Sequence, residues 1–397
     1  MDSGTDPGTL LARITDYASR PDPYPLYAEL RAAGPVVPQS DGSLLIGGYH
    51  EVAALLHDPR MSADPRTRGV VTAKPPFLRL DDPEHHRLRT LAMRPFGPPH
   101  SPRRVDGMRA EIDGITKELL APFEAGGQVD VVDDFAYPLP VTVICRLLGV
   151  PREDEPLFRA WSDALVASAD VRPDAGSAPR EEADRARREM GGYLVGLAEQ
   201  RRETPGDDLL SAFVGEPDPE LRLSREELAE TAVLLLIAGH ETTVNLITNG
   251  VLTLLRHPAE LDRLRREPGL LPRAVEELLR FEPPVHMRER IPLADFDVAG
   301  ATLPRGSSVI LALASGNRDP RRFPDPDRFD PARPDNQHLG FGSGIHLCYG
   351  GPLARLEAQS ALAALLPHLG TAELAEDPPP YRQNAMLRGP RHLRLTL

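Results

Sequence analysis

The chain alternates apolar segments of helical periodicity with short Pro/Gly/Asp clusters, near residues 33–43, 170–180, 204–220 and 315–336. The longest periodic segment opens at Ser224-Arg225-Glu226-Glu227, a capping box in which Ser224 and Glu227 satisfy each other's backbone N–H groups. Periodicity continues to His257, and Pro258 stops it. A helix of about 34 residues is roughly 50 Å long at 1.5 Å rise, enough to cross a whole domain. Pro352 and the run LARLEAQSALAALLPHL predict a second helix, with proline at its first position. Asp82-Pro83-Glu84 marks a third start, and RAVEELLRFEPP and PLPVTVICRLLGVP carry helical patterns as well.

At 397 residues the chain is long enough for two or three domains by length alone. No linker, repeat or low-complexity tract divides it, although 43 prolines punctuate it. A hydrophobic share of 41% with 26% charged residues is ordinary for a chain that buries a sizeable core. The net charge of −13 argues against a nucleic-acid partner. The N-terminus lacks a basic region followed by an apolar core, so no secretory signal is expected. The longest uninterrupted apolar run, Ala232 to Gly239, falls far short of the roughly 20 residues that span a bilayer. Two cysteines, Cys145 and Cys348, provide no disulfide framework, and Cys145 lies in an apolar helical pattern as a core residue. The expectation is a soluble, cytoplasmic protein without a membrane partner.

The chemistry concentrates in Phe341-Gly342-Ser343-Gly344-Ile345-His346-Leu347-Cys348-Tyr349-Gly350. A lone cysteine is more often an inert buried residue than a reactive one. Here it immediately precedes a helix, whose free N–H groups and positive dipole end favour thiolate over thiol. Gly342, Gly344 and Gly350 lack the Cβ atoms that would hold a flat ligand away from the backbone. A thiolate presented this way suits an axial bond to haem iron. Elsewhere, Ala238-Gly239-His240-Glu241-Thr242-Thr243 puts polar groups mid-way along the longest helix, where they are costly unless partnered. Threonine hydroxyls bonding back to carbonyls one turn earlier, and an arginine for Glu241, would meet that need without any function.

The pattern F-G-x-G-x-H-x-C-x-G resembles the cysteine-loop signature of the cytochromes P-450, and the resemblance runs in order through the whole chain. It implies a mainly α fold over residues 1–397, one triangular domain with a small β region, in place of the two or three domains suggested by length. It implies Cys348 as the ligand of haem b, with Phe341, Gly342 and Gly350 in the cofactor loop. The A-G-x-D/E-T-T motif carries over to Glu241 and Thr242 as the acid and alcohol that guide protons, and His240 falls at its variable position. The family's H-x-x-x-R matches His85 and Arg89 as propionate partners, and Arg290 and His346 match two more, with Arg288 the competing choice for Arg290. The E-x-x-R pair matches Glu277 and Arg280, completed by Arg333 as a buried folding element.

By the same resemblance the chain is an O2-dependent monooxygenase of the soluble bacterial type. Electrons would come from NAD(P)H through a separate ferredoxin and ferredoxin reductase, and Arg87, Arg94, Arg103, Arg104 and Arg355 are candidates for the docking patch. The expected substrate is a bulky, mostly apolar small molecule, free or carrier-bound, that is hydroxylated or epoxidised in secondary metabolism by a monomeric enzyme. C–C or C–O coupling at the same centre, and a catalytically silent helper of a partner enzyme, are the alternatives. Two departures from the family pattern are Tyr349 and Gly351 after the cysteine, and a stretch between Ser62 and Asp82 that is shorter than expected. Pocket walls are expected from Phe77, Leu234, Leu235 and Ala238 on one side, and Val285, His286, Met287, Met386 and Leu387 on the other.

Overall fold

The computed structural model describes residues 6–69, 75–96, 102–169 and 178–397. Helices dominate, and the ones that matter for the site are α1 (Tyr24–Ala33), α2 (Tyr49–His57), α3 (Glu84–Met93), α4 (Pro138–Leu148), α5 (Ala178–Glu203), α6 (Arg225–Arg256), α7 (Leu271–Phe281) and α8 (Gly351–Leu365). The capping box of α6 forms as expected: the Ser224 hydroxyl accepts from Glu227 N at 3.2 Å, and the Glu227 carboxylate accepts from Ser224 N at 2.9 Å. The helix ends at Arg256, just before His257 and Pro258. Helices α4, α5, α7 and α8 all pack against it. Its segment is long and apolar enough to cross a membrane by length and composition, with a mean hydropathy of 1.3, yet 78% of that window is buried inside the protein. It is a core helix, and its polar interruptions had hidden this length from the count of uninterrupted apolar residues.

The β region is small. Strands β1 (Val37–Pro38), β2 (Leu44–Ile46), β3 (Met61–Ser62), β5 (Met287–Pro292) and β8 (Val309–Ala312) form one sheet in the order β1-β2-β8-β5-β3. Among the described residues only the β2–β8 pairing is parallel. A second sheet joins β4 (Gln128–Asp130), β10 (Arg394–Thr396) and β9 (Glu373–Leu374), and β6 (Phe296–Val298) pairs with β7 (Ala301–Leu303) as a hairpin. In β5, opposite Val309–Ala312, side chains alternate between the two faces of the sheet.

The E-x-x-R pair is a buried hub and not a surface ion pair. Glu277 and Arg280 on α7 are both 0% exposed. The Glu277 carboxylate accepts from Arg280 at 2.8 and 2.7 Å, from Arg333 at 3.1 Å, from Asn336 at 3.1 Å and from the Asp330 backbone at 3.0 Å. Arg280 also donates to the carbonyls of Asn317 and Pro326 at 2.9 and 2.7 Å. Asn317 in turn accepts from Leu339 N at 2.7 Å, two residues before the cysteine loop begins. The hub therefore fixes where the loop starts.

Helix α8 carries a contrasting carboxyl. Glu357 is buried, its Oε2 has no hydrogen-bond partner, and burial pushes its pKa up to about 8. Between the ordinary carboxylate range and pH 8 the folded state thus binds more protons than the unfolded one, so this residue's contribution to stability falls as pH rises. Glu357→Gln should gain stability relative to the parent across that window, read from denaturant midpoints at several pH values. A difference that does not change with pH contradicts the assignment. Glu277→Ala should lose about 3–5 kcal/mol, because Arg280 is left buried without its partner. An unfolding midpoint equal to the parent's would refute that.

Candidate active site

The cysteine loop is shaped by its own backbone and by α2. Gly342 and Gly344 adopt φ of 71° and 70°, values that disfavour any side chain. Cys348 N donates to the Phe341 carbonyl at 2.9 Å, and Leu347 N to that of Gly344 at 3.0 Å, closing the loop on itself. A Cβ at Gly344 would collide with the Leu56 carbonyl at the C-terminal end of α2. Next to it, the His57 ring and the Ser343 hydroxyl are 2.6 Å apart. Gly344 is thus required by close protein packing and not as part of a ligand cradle. Gly350 has open space around a would-be Cβ and an ordinary φ of −79°. Phe341 packs under the Arg355 guanidinium, 4.5 Å from the ring centre, and Arg355 forms a bidentate pair with Glu276 at 2.6 and 2.9 Å. Tyr349, where the family more often has leucine, packs its ring against Phe96 and Phe77 at 4.5 and 6.1 Å.

Cys348 is accessible, whereas Cys145 is buried in the core as expected. Protein nevertheless fills most of the volume around the Cys348 sulfur, and this desolvation pushes the thiol pKa up. The Gly350 backbone N–H and Arg89 and Arg288 pull it the other way, with less effect. The helix-start argument thus has the right sign but loses to burial. A proton leaves this sulfur when a metal takes its place.

Around the loop gathers a group of cations with little to balance them. His85 and Arg89 lie one turn apart on α3 and both face the loop: the His85 and His346 rings are 4.3 Å apart, and Arg89 donates to the Leu347 carbonyl at 2.7 Å. Arg288 and Arg290 share one face of β5 and point to the same side of the sheet. Burial lowers the pKa of Arg89, Arg288 and Arg290, the last to about 10 with Arg288 contributing repulsion. Burial, then Arg290, His85 and Arg89, hold His346 down to about 3, so its ring is neutral. His85 Nε2 and both His346 nitrogens are buried without hydrogen-bond partners, while His85 Nδ1 sits 3.1 Å from Asp82. Among the described residues no carboxylate forms an ion pair with Arg89, Arg288 or Arg290. Asp81, the acid that Arg290 senses, is engaged by Ser62 and by Ala63 N.

Buried like charges and orphaned ring nitrogens are unfavourable unless anions complete them. A sulfur donor beside cations that lack carboxylates fits a haem, which brings an iron and two propionates.

On α6, Leu234, Ala238 and Thr242 recur every four residues on the helix's less covered stripe. Thr242 Oγ1 donates to the Ala238 carbonyl at 2.7 Å, the back-bonded geometry, which leaves its lone pairs free to accept. Glu241 is buried on the neighbouring face. His240 packs against Tyr137, ring centres 4.3 Å apart, and burial drops its pKa to about 3; it is a core residue.

Other expectations need correction. Arg87, Arg94, Arg104 and Arg355 do not form a free basic patch, because each is paired with an acid: Glu227, Glu216, Asp207 and Glu276 respectively. The Arg103 side chain and residues 70–74 of the expected substrate roof lie outside the described residues. Val285 bridges to Leu387, and His286 N donates to the Met386 carbonyl, so these walls do come together. Leu235 and Met287 are core residues, and Phe77 and Val285 also belong to buried core clusters. His286 is buried with its Nδ1 2.9 Å from the Tyr27 hydroxyl of α1.

A family model described as Cytochrome P450 matches residues 39–397. The chain is 43% identical to the cytochrome P450 monooxygenase PikC of Streptomyces venezuelae, over 94% of this chain and 90% of that protein. It is 40% identical to 6-deoxyerythronolide B hydroxylase of Saccharopolyspora erythraea, over 95% and 96% of the two chains. The solved structure of P450BioI, in complex with an acyl carrier protein ligated to hexadec-9Z-enoic acid, superposes with a TM-score of 0.85 at 36% identity, covering 96% of this chain and 99% of that one.

Gly344→Ala should disturb the loop at the Leu56 contact, costing about 1–3 kcal/mol in backbone strain before the collision is counted. Haem bound per chain and the unfolding midpoint should both fall. A variant as stable and as fully loaded as the parent would show that this packing is not required.

Proposed function

The chain belongs to the cytochrome P450 family and is a haem monooxygenase, and from that premise we propose that it hydroxylates or epoxidises a bulky, mostly apolar intermediate of secondary metabolism. The observation that carries the reading is the group of cations without carboxylate partners gathered beside the accessible Cys348. When bound, haem b supplies an iron that activates O2 with two electrons and two protons.

Cys348 holds the iron through its sulfur. Arg89 and Arg290, with the free ring nitrogens of His85 and His346, hold the propionates by charge and hydrogen bonding. Phe341, Gly342 and Gly350 form the loop that carries the sulfur to the ring. Thr242, whose proton is committed to Ala238, offers lone pairs to a water or a protonated group in the site. Glu241, buried one residue earlier on α6, is the acid that relays protons toward Thr242.

Electrons arrive from NAD(P)H through a ferredoxin and its reductase, and the enzyme works as a cytoplasmic monomer; burial of the long apolar helix within the core supports the soluble form. Likeness to PikC and 6-deoxyerythronolide B hydroxylase supports a secondary-metabolite substrate. A carrier-bound acyl chain is the second reading, favoured by likeness to P450BioI in its carrier-protein complex.

The reduced protein mixed with carbon monoxide should give the red-shifted Soret band of a thiolate-ligated haem, and Cys348→Ser should abolish it. A parent protein without that band is not a haem-thiolate enzyme. Thr242→Ala should keep the band but lower product formed per NAD(P)H consumed by about tenfold or more, with hydrogen peroxide in its place. Unchanged coupling would remove Thr242 from the proton path.

A further inference from the structure

The cations beside Cys348 do not all have a task. Arg89 is tied to the loop through the Leu347 carbonyl at 2.7 Å. Arg290 donates to the Glu289 carbonyl at 2.8 Å, borders His346 and senses Asp81. Arg288 makes no hydrogen bond, ion pair or ring contact among the described residues, although it is half-buried and desolvated. It shares the Arg290 face of β5 and sits opposite Leu311, so an apolar strand lies along its stem. Half-buried on the same face of the strand as Arg290, it lies toward the cysteine loop and not out on the protein surface.

Charge counting sets the remaining step. A ferric porphyrin with a thiolate ligand is neutral apart from its two propionates. His85 Nε2 and both His346 nitrogens are buried without partners and are ring groups that bond without being counted as charges. Three guanidiniums thus face two propionates. The two arginines fixed by hydrogen bonds flank the His85–His346 pair, where the propionates are expected. The third is left desolvated and unmatched, which is unfavourable until an anion arrives.

We infer that Arg288 is a specificity-determining residue that pairs with a carboxylate carried by the substrate, so that the enzyme selects an amphipathic acid: an apolar body with one anionic group. The inference rests on the haem-monooxygenase reading and narrows its substrate class. A planar guanidinium engages a carboxylate by two parallel hydrogen bonds, which neither an ester nor an alcohol reproduces. The apolar body has its wall nearby, where Val285 bridges to Leu387 just before β5.

The test uses the haem-loaded enzyme and ω-(imidazol-1-yl)alkanoic acids of butanoic, octanoic and dodecanoic length, each beside its methyl ester. The imidazole nitrogen binds the iron, so dissociation constants come from the Soret shift without turnover. In the parent at least one acid should bind roughly tenfold or more tightly than its ester. Arg288→Gln should erase that preference and keep the carbon monoxide band, while Arg288→Lys should retain much of it. The inference fails if no acid outbinds its ester in the parent, or if the preference survives in Arg288→Gln. It fails equally if Arg288→Gln and Arg288→Lys both lose haem, which would make Arg288 a third propionate anchor. A parent that lacks the red-shifted carbon monoxide band, recorded before the titrations, sinks the haem-thiolate reading itself.

Discussion

Three guanidiniums gathered beside one accessible sulfur, none of them ion-paired with a carboxylate among the described residues, are the constraint around which the site is organised. Each is desolvated, Arg288 lowers the pKa of Arg290, and Arg290 and Arg89 lower that of His346. Such a cluster is stable only together with what it binds. The elements that assemble it are far apart in sequence: α3 supplies His85 and Arg89, β5 supplies Arg288 and Arg290, and the loop before α8 supplies His346 and Cys348. Holding them in place against mutual repulsion is the work of the surrounding scaffold.

That scaffold uses the opposite electrostatic logic. Glu277 is wholly buried but fully satisfied, by two arginines, an asparagine and a backbone N–H. From Arg280 the network passes through Asn317 to Leu339, and Gly344 seats the loop against the end of α2. A saturated ionic hub on one side and an unsaturated cationic cluster on the other divide the labour. The first fixes geometry, and the second leaves binding energy available for a ligand.

Local signals carried the sequence reading a long way. The capping box at Ser224, the proline start at Pro352 and the three-residue spacing of Glu277 and Arg280 each depend on residues close in the chain, and each appears in the structure. What escaped depends on distant partners. Nothing near Gly344 reveals that Leu56 abuts it. Four of the five arginines offered as a docking patch are paired with Glu227, Glu216, Asp207 and Glu276, acids that no local pattern assigns to them. Arg288 and Arg290 compete for one role in the sequence, although a strand's period of two puts both on one face. The dipole at the start of α8 suggested a thiolate, but the degree of burial that outweighs it is a property of the folded whole.

The proposed haem site consists of this cation cluster together with Cys348. A crystal structure of the protein as purified tests it most directly. The account predicts an iron porphyrin bonded to the Cys348 sulfur, with its propionates within hydrogen-bond distance of Arg89 and Arg290 and no propionate on Arg288. A porphyrin held by any other residue, or propionates directed away from the cluster, would contradict it.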